Sequence, residues 1–276
     1  MPTRYIGFGY WEIASRQMSI VSKSEQQRFK DAKITVIGCG GIGGETIEML
    51  ARMGLGELTI IDKDEYDLSN LNRQATATLE TLGKLKAEAT KEKVRITNPY
   101  TKVMAINQAL DEENVDELLK GSDIIIDALD NLITRIIVSR YARENKIPFI
   151  HGAIHGTQGQ ITVFGENTKS YEEMFSLPSF NKELTEEVKK SVQGLTKGVP
   201  PVIGPTPNII GCLEAIEAYK LITGIGKVTY APKILSFDFI YDTGKYSYNK
   251  SILKPSHILD NRIRMQEYLL EIIKRP

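Results

Sequence analysis

Apolar segments too short to form helices alternate with amphipathic segments in the first part of the chain. KITVIG (33–38) and ELTIID (57–62) are apolar and rich in β-branched residues, which is typical of strands buried on both faces. Between them, CGGIGG (39–44) predicts a turn, and ETIEMLARMGLG (45–56) has the spacing of a helix that ends at glycine. This order predicts the opening βαβ unit of a parallel sheet.

The same alternation continues to residue 165. Further helices are predicted at 83–96, 112–120 and 133–145, and further strands at 98–107, 123–129, 148–153 and 159–165. The last of these strands has antiparallel character. The predicted fold class is therefore α/β, a Rossmann-like doubly wound, mostly parallel sheet continued by antiparallel strands.

Prolines and charges interrupt this pattern after residue 165. Segment 166–207 contains five prolines and the charged run KELTEEVKK, so we expect a long mobile loop with one exposed helix. The remaining pattern predicts a short helix within 16–32, a helix at 209–224, a hairpin at 233–249 turning around Asp242–Gly244, and an amphipathic tail helix from 256.

Composition narrows the class of protein. Lys plus Arg and Asp plus Glu both total 35, so the net charge is zero, whereas a general nucleic-acid binder carries a basic excess. Two cysteines, Cys39 and Cys212, suggest neither a disulfide scaffold nor a four-cysteine zinc site. The N-terminus lacks a secretory apolar region, and no apolar run reaches the roughly 20 residues of a membrane helix. We therefore expect a cytoplasmic protein without a membrane segment or a nucleic-acid partner.

Four glycines, Gly38, Gly40, Gly41 and Gly43, stand between the first strand and its helix. Glycine lets the backbone approach a phosphate, and a helix N-terminus supplies N–H donors and the positive end of a dipole. Asp62 ends the second strand, where a carboxylate accepts hydrogen bonds from ribose hydroxyls. By themselves these residues fit the site of an NAD dehydrogenase, or a tight turn without a ligand.

A second group of polar residues favours a nucleoside triphosphate instead. Arginine offers a planar fork to phosphate oxygens, lysine a point charge, and aspartate can hold Mg²⁺ through its water shell. Residues of these types follow the second strand and the strand 123–129, at the edge of the sheet where ligands bind: Asp64, Asn70, Arg73, Gln74, Lys86, Asp130 and Asn131.

Taken together, these motifs resemble the E1-like activating enzymes, the superfamily of ThiF, MoeB and the adenylation domains of ubiquitin activators. The matching segments follow the family's order from about residue 13 to 240: RQ (16–17), GCGGIGG, DKDEYDLSNLNRQ, GKLKAE (83–88), NP (98–99), DALDN with Arg135, GQITVF (159–164) and GCLEAIEAYK (211–220). The resemblance implies adenylation of a carboxylate by ATP, with release of pyrophosphate.

The resemblance also implies roles for single residues. It places Asp62 at the ribose, Gly41 at the α-phosphate and Asp130 at Mg²⁺, although Asp130 could also cap the helix that starts near Leu132. The implied ATP site comprises Gly38, Gly40, Gly41, Gly43, Asp62, Asp64, Asn70, Arg73, Gln74, Lys86, Asp130 and Asn131. The implied catalytic residues are Arg73, Lys86, Asp130 and Arg16, of which Arg16 reaches across a homodimer into the partner's nucleotide.

On this basis the chain divides into four parts. Residues 1–32 form a helical segment at the dimer interface, and 33–165 form the nucleotide-binding core. Residues 166–207 form a crossover loop above the acyl-substrate site, and 208–276 contain a helix, the hairpin and the tail helix. His151 and His155 either line the acyl-substrate pocket or only pack.

Two family features are missing. Family members usually carry two cysteine pairs that bind a structural zinc, but this chain reads SYEEM at 170–174 and has no cysteine in 245–276. Many also carry a crossover-loop cysteine that takes the acyl group as a thioester, and VQGLTKGV (192–199) has none. We therefore expect ATP and Mg²⁺ as cofactors, no structural zinc, and no thioester on the chain itself.

The acyl substrate stays open between several classes. We favour a small carboxylic acid, the carboxylate of guanylylpyridinol in assembly of the iron-guanylylpyridinol cofactor of Fe-hydrogenase, passed to a separate acyl-accepting protein. The first alternative is the C-terminal glycine of a ubiquitin-like sulfur carrier. The second is a dehydratase of threonylcarbamoyladenosine in tRNA. A nucleotide-binding scaffold or NAD dehydrogenase is the third.

Overall fold

In the computed structural model, which describes residues 9–195, 201–238, 240 and 242–248, eight strands form one sheet in the order β3-β2-β1-β4-β5-β6-β7-β8. The strands are β1 Lys33–Ile37, β2 Glu57–Ile61, β3 Lys102–Ile106, β4 Ile124–Asp127, β5 Phe149–His155, β6 Gln158–Phe164, β7 Lys233–Asp238 and β8 Asp242–Tyr248. The first five strands in this order, β3, β2, β1, β4 and β5, are parallel to one another. Strands β6, β7 and β8 continue the sheet through antiparallel pairs. The predicted fold class is confirmed.

Helices cover both faces of the parallel part. They are α1 Tyr10–Ile13, α2 Lys23–Asp31, α3 Gly41–Arg52, α4 Lys86–Thr97, α5 Val115–Leu119, α6 Leu132–Glu144, α7 Tyr171–Met174, α8 Glu186–Gln193 and α9 Pro205–Thr223. One apolar cluster joins the sheet to α3 and α9 through residues such as Ile47 and Ala215, and a second joins it to α6 through Ile136. Because both faces are covered, the central strands are apolar throughout, as the sequence pattern indicated. None of the helices in these described ranges is both long and apolar enough to cross a membrane.

The predicted boundary between the glycine turn and its helix is wrong by four residues. Helix α3 begins at Gly41, so Gly43 and Gly44 lie in its first turns. Glycine has poor helix propensity, but these two positions are buried against the turn itself. Tertiary contact therefore overrides the local preference that placed the helix start at residue 45.

The crossover segment 166–207 is more structured than predicted. Its described residues, 166–195 and 201–207, contain the helices α7 and α8 and the first turn of α9. Tyr171, Met174 and Val192 are buried in the apolar cluster around α6. Because these three apolar residues anchor it, the described part of the segment packs on the core, and the prediction of only one exposed helix is wrong.

Two smaller differences concern segments near the ends of the chain. The predicted helix within 16–32 is a 3₁₀ turn at Ser15–Gln17 followed by α2, whose N-cap Ser22 forms a capping box with Glu25. The predicted hairpin turn around Asp242–Gly244 is wrong, because Asp242 and Gly244 already lie in β8, which pairs antiparallel with β7. The predicted tail helix from 256 lies outside the described residues.

Candidate nucleotide site at the carboxyl ends of the strands

The glycines of the turn differ in the space that surrounds each of them. Gly38 has φ +100°, and a Cβ there would stand 2.5 Å from the carbonyl oxygen of Ala128. A Cβ on Gly43 would overlap the carbonyl oxygen of Gly38, so Gly43 allows α3 to pack against the turn. By contrast, the nearest described atom to a Cβ on Gly40 would be Gln74 Nε2, 3.8 Å away. The backbone is thus open at Gly40, where a ligand would approach.

Helix α3 points its N-terminus at this opening. Its N-cap is Gly40, which provides no side chain to accept from the first-turn N–H groups. The helix has 12 residues and its first turn contains no acidic residue. These N–H groups and the positive end of the helix dipole favour an anion beside Gly40.

Asp62 ties the glycine turn to the end of β2. Its Oδ2 accepts from the backbone N–H of Cys39 at 2.6 Å, and its Oδ1 accepts from the N–H of Asp64 at 2.8 Å. Burial raises the pKa of Asp62, although both backbone hydrogen bonds oppose the rise. A carboxylate has about four lone-pair sites, so Asp62 retains acceptors for the two hydroxyls of a ribose.

Lys86 is a buried cation at the start of α4. Its side chain is 10% exposed, and its Nζ lies 3.6 Å from Asp64 Oδ2. The backbone N–H of Lys86 also donates to the carbonyl oxygen of Asp64 at 2.8 Å. Since a long, weak ion pair compensates little of the cost of burying an ammonium group, a phosphate beside Lys86 would complete its environment.

The excursion between β2 and α4 brings further predicted residues to the turn. Gln74 is buried beside Gly40, and its Oε1 has no hydrogen-bond partner among the described residues. Arg73 lies beside Gly41 and donates to the carbonyl oxygen of Ser69 and to Asn72 Oδ1. Asn70 is buried and accepts from the N–H of Asp67, so its amide also holds the loop that carries Arg73.

Asp130 and Asn131 follow β4 on the same edge. Asp130 is exposed. The hydrogen bond and the charge of Asp64 raise the pKa of Lys63, and the charge of Asp130 adds to this rise. Asn131, rather than Asp130, is the N-cap of α6, because its Oδ1 accepts from the N–H of Thr134 at 2.8 Å. The interpretation of Asp130 as the cap is therefore wrong, and its carboxylate stays available.

The donor set fits Mg²⁺ only in one form. The described residues contain no group of three or more His, Cys, Asp or Glu side chains that could hold a metal ion. Mg²⁺, however, usually takes one or two carboxylates and completes its shell with water and substrate phosphates. A single exposed carboxylate beside a phosphate site, as at Asp130, fits this mode of binding.

Arg16 is not brought to the site of its own chain. It is exposed in the 3₁₀ turn at Ser15–Gln17, and Gln17 Nε2 donates to the carbonyl oxygen of Met53, at the C-terminal end of α3. A 12-residue helix is about 18 Å long. Arg16 and the open turn therefore lie at opposite ends of α3.

The two histidines of β5 differ in burial. His151 is buried, with Nδ1 2.6 Å from Asp127 Oδ2, and burial lowers its pKa. His155 is exposed at the end of β5. His151 thus belongs to a buried polar cluster with Asp127 and Arg135, which the residue patterns did not identify; the only signals were an acid at the end of an apolar strand and the family match at Arg135.

The limb 201–207, which leads into α9, passes beside the site. The N–H of Gly156 donates to the carbonyl oxygen of Pro201 at 3.0 Å, and Asn72 Nδ2 donates to that of Val202 at 3.4 Å. A Cβ on Gly41 would stand 2.9 Å from the Cβ of Pro207. This limb therefore connects the end of β5 with the glycine turn.

Residues 14–252 match the ThiF family. The chain belongs to the ThiF family. It is 32% identical to the SAMP-activating enzyme E1 of Haloferax volcanii over 84% of this chain and 83% of the relative. It is also 32% identical to the sulfur carrier protein adenylyltransferase of Thermus thermophilus, over 77% of this chain and 78% of the relative. As a member of this family, the chain is an E1-like adenylyltransferase.

Solved structures confirm the fold. The structure of E. coli MccB with ATP matches with a TM-score of 0.73, covering 86% of this chain and 70% of that one at 22% sequence identity. This match supports the Rossmann-like architecture of the chain.

Proposed function

We propose that this chain uses ATP to convert a carboxylate into an acyl adenylate, releasing pyrophosphate. The observation that carries the proposal is the buried Lys86, whose charge reaches Cys39 of the glycine turn, together with the open backbone at Gly40. Attack of a carboxylate on the α-phosphorus expels pyrophosphate, so charge develops on oxygens that cations and N–H donors can stabilise. Lys86, Arg73 and the N-terminus of α3 would bind and orient these oxygens, and Asp130 would hold Mg²⁺ beside them.

The acyl group would leave this chain without a thioester. The chain has two cysteines, and Cys39 is buried inside the glycine turn. Burial and the nearby Glu45 raise the pKa of Cys212 to about 11, which keeps it a protonated, weak nucleophile at neutral pH. A separate acceptor molecule would therefore attack the acyl adenylate directly.

A second copy of the chain would complete each site. Arg16 lies at the end of α3 far from its own glycine turn, so it can assist only a neighbouring subunit. We propose a homodimer in which Arg16 enters the partner's nucleotide site, with 1–32 at the interface and the crossover segment 166–207 above the acyl substrate. The limb 201–207 supports this last point because it borders both β5 and Arg73.

We propose a small acid, the carboxylate of guanylylpyridinol, as the acyl substrate. The absence of a suitable cysteine supports direct transfer to a separate protein. The second candidate is the C-terminal glycine of a ubiquitin-like sulfur carrier, which is favoured by the similarity to the sulfur carrier protein adenylyltransferase of Thermus thermophilus. His155, exposed at the end of β5, is the residue we expect beside either carboxylate.

ATP–pyrophosphate exchange tests the proposal and separates the candidates. The full chain is assayed with Mg²⁺ and, separately, a guanylylpyridinol carboxylate or a Gly-Gly-tailed carrier, with Asp130→Asn as a control for the metal site. Exchange with the small acid supports the first substrate, and exchange with the carrier replaces it by the second. ATP binding without exchange on either would overturn both substrates, and no ATP binding would overturn the proposed function.

A further inference from the structure

A buried ion pair lies directly beneath the loop that carries Asp130. Arg135 Nε donates to Asp127 Oδ2 at 2.5 Å, and the two side chains are 9% and 0% exposed. Burial alone would raise the pKa of Asp127, but the charge of Arg135 and the hydrogen bond to His151 hold that pKa below its usual value. Burying such an ion pair is costly unless further hydrogen bonds satisfy its remaining donors and acceptors.

Both partners hold the backbone of Leu129, the residue before Asp130. The N–H of Leu129 donates to Asp127 Oδ1 at 3.0 Å. Arg135 Nη2 donates to the carbonyl oxygen of the same residue. With its donor and its acceptor both bound to buried charged groups, the Leu129 peptide has a fixed orientation, and this orientation determines where the Asp130 carboxylate begins.

The crossover segment seals this arrangement. The Tyr171 ring on α7 packs edge-on against His151 with ring centroids 5.0 Å apart, and Phe175 packs against the same imidazole at 5.5 Å. The Tyr171 side chain also interacts electrostatically with the Arg135 guanidinium. Water is thus excluded from the pair by a helix of the segment that borders the site, which strengthens the hydrogen bonds inside.

We propose that Arg135 is a positioning residue for the metal-bound nucleotide: with Asp127 it fixes the Leu129 peptide so that Asp130 faces the phosphates, and Tyr171 of the crossover segment keeps it in place. The inference rests on the proposed function, because Asp130 has work only when a nucleotide and Mg²⁺ are bound. It adds a residue that would act on the metal through the backbone, without contacting the nucleotide.

The test replaces Arg135 by lysine, which keeps the charge beside Asp127 but lacks a second, rigidly placed nitrogen for the carbonyl of Leu129. Arg143→Lys is the matched control, since Arg143 lies on the same helix and donates to a different backbone carbonyl, that of Thr168. Mn²⁺ is titrated into each full-length protein with saturating ATP and followed by electron paramagnetic resonance. ATP binding is also measured in EDTA by calorimetry, and exchange of the Leu129 amide hydrogen is measured without nucleotide.

We expect Arg135→Lys to weaken Mn²⁺ binding about tenfold, to speed Leu129 amide exchange and to leave metal-free ATP affinity within about twofold. Arg143→Lys should match the wild type in all three. If Arg135→Lys fails to fold, Tyr171→Phe, which retains the aromatic packing, should show a smaller change in the same direction. Wild-type Mn²⁺ affinity in a folded Arg135→Lys or Tyr171→Phe protein would overturn this inference alone, whereas a wild-type chain that binds no ATP would overturn the proposed function as well.

Discussion

The Asp62 carboxylate accepts a hydrogen bond from the backbone N–H of Cys39, with 2.6 Å between the nitrogen and Oδ2. This bond joins the glycine turn to the end of the second strand. A residue expected at the ribose is thereby also part of the framework that shapes the phosphate site. Its substitution should consequently affect both stability and nucleotide binding.

Replacing Asp62 by asparagine should lower the free energy of unfolding by about 1–2 kcal/mol and weaken ATP binding. Asparagine has one acceptor oxygen, so the N–H of either Cys39 or Asp64 loses its partner. Urea unfolding and calorimetry measure the two effects. Asp67→Asn is the control, because Asp67 caps a 3₁₀ turn in an exposed position where asparagine is equally effective. A variant with normal stability and weaker ATP binding would assign Asp62 to the ligand alone.

Replacing Lys86 by methionine should reduce ATP–pyrophosphate exchange by at least about 100-fold, because the buried ammonium group would lose its role at the phosphates. Lys91→Met is the matched control: Lys91 lies on the same helix, and its Nζ pairs with Glu88 at 3.5 Å near the surface. It should stay within about threefold of wild type, as surface pairs contribute little. Equal losses in the two variants would contradict the assignment.

Two glycine substitutions should affect different properties, one the stability of the fold and the other the affinity for ATP. Gly43→Ala should destabilise the fold by about 1–3 kcal/mol or more, since the new methyl group meets the backbone of Gly38. Gly40→Ala meets nothing closer than 3.8 Å, so its thermal unfolding should be close to wild type while ATP affinity falls. Thermal unfolding and ATP titration of both variants check this. Unchanged ATP affinity in Gly40→Ala would show that the phosphates lie elsewhere.

The Arg16→Ala protein and the Lys86→Met protein should each lack ATP–pyrophosphate exchange when assayed alone. Exchange should return when the two proteins are mixed. A one-to-one mixture of exchanging dimers contains sites that combine an intact Lys86 with the partner's Arg16, and about a quarter of wild-type activity should return. Native mass spectrometry of the mixture should show whether mixed dimers form. Mixed dimers without any recovered activity would exclude a role for Arg16 in the partner's site.

Glu214 makes stability depend on pH. It is buried on α9 with Thr46 Oγ1 2.7 Å from its Oε2, and burial raises its pKa well above the usual value. A raised pKa in the folded state stabilises the fold below the unfolded-state pKa of about 4.3, and this stability is lost as pH rises toward the folded value. Glu214→Gln removes the ionisable group. The free energy of unfolding of this variant, measured in urea relative to that of the wild type, should therefore increase from pH 5 to pH 8.5. Parallel pH profiles would contradict this account.

The sequence alone was enough to predict the sheet, and it proposed candidate residues for a site at the edge of that sheet. Buried strands such as β1 and β2 have continuous apolar runs, and the glycine turn between them has a local pattern. Both signals arise within a few residues of chain, because a strand covered on both faces needs apolar residues throughout. The same kind of signal predicted Asp62, Lys86 and Arg73 as candidate ligand residues, since ligand residues follow the carboxyl ends of parallel strands.

Only the tertiary structure decided what each of these residues touches. The start of α3 at Gly41, the cap at Asn131, the anchoring of Tyr171 and the pairing of Asp127 with Arg135 all depend on groups brought together across the fold. The distance from Arg16 to its own glycine turn likewise depends on where the N-terminal segment packs. Local patterns determine which segments form helices and strands, whereas burial and long-range hydrogen bonds determine the partner of each polar side chain, and these exist only once the chain has folded.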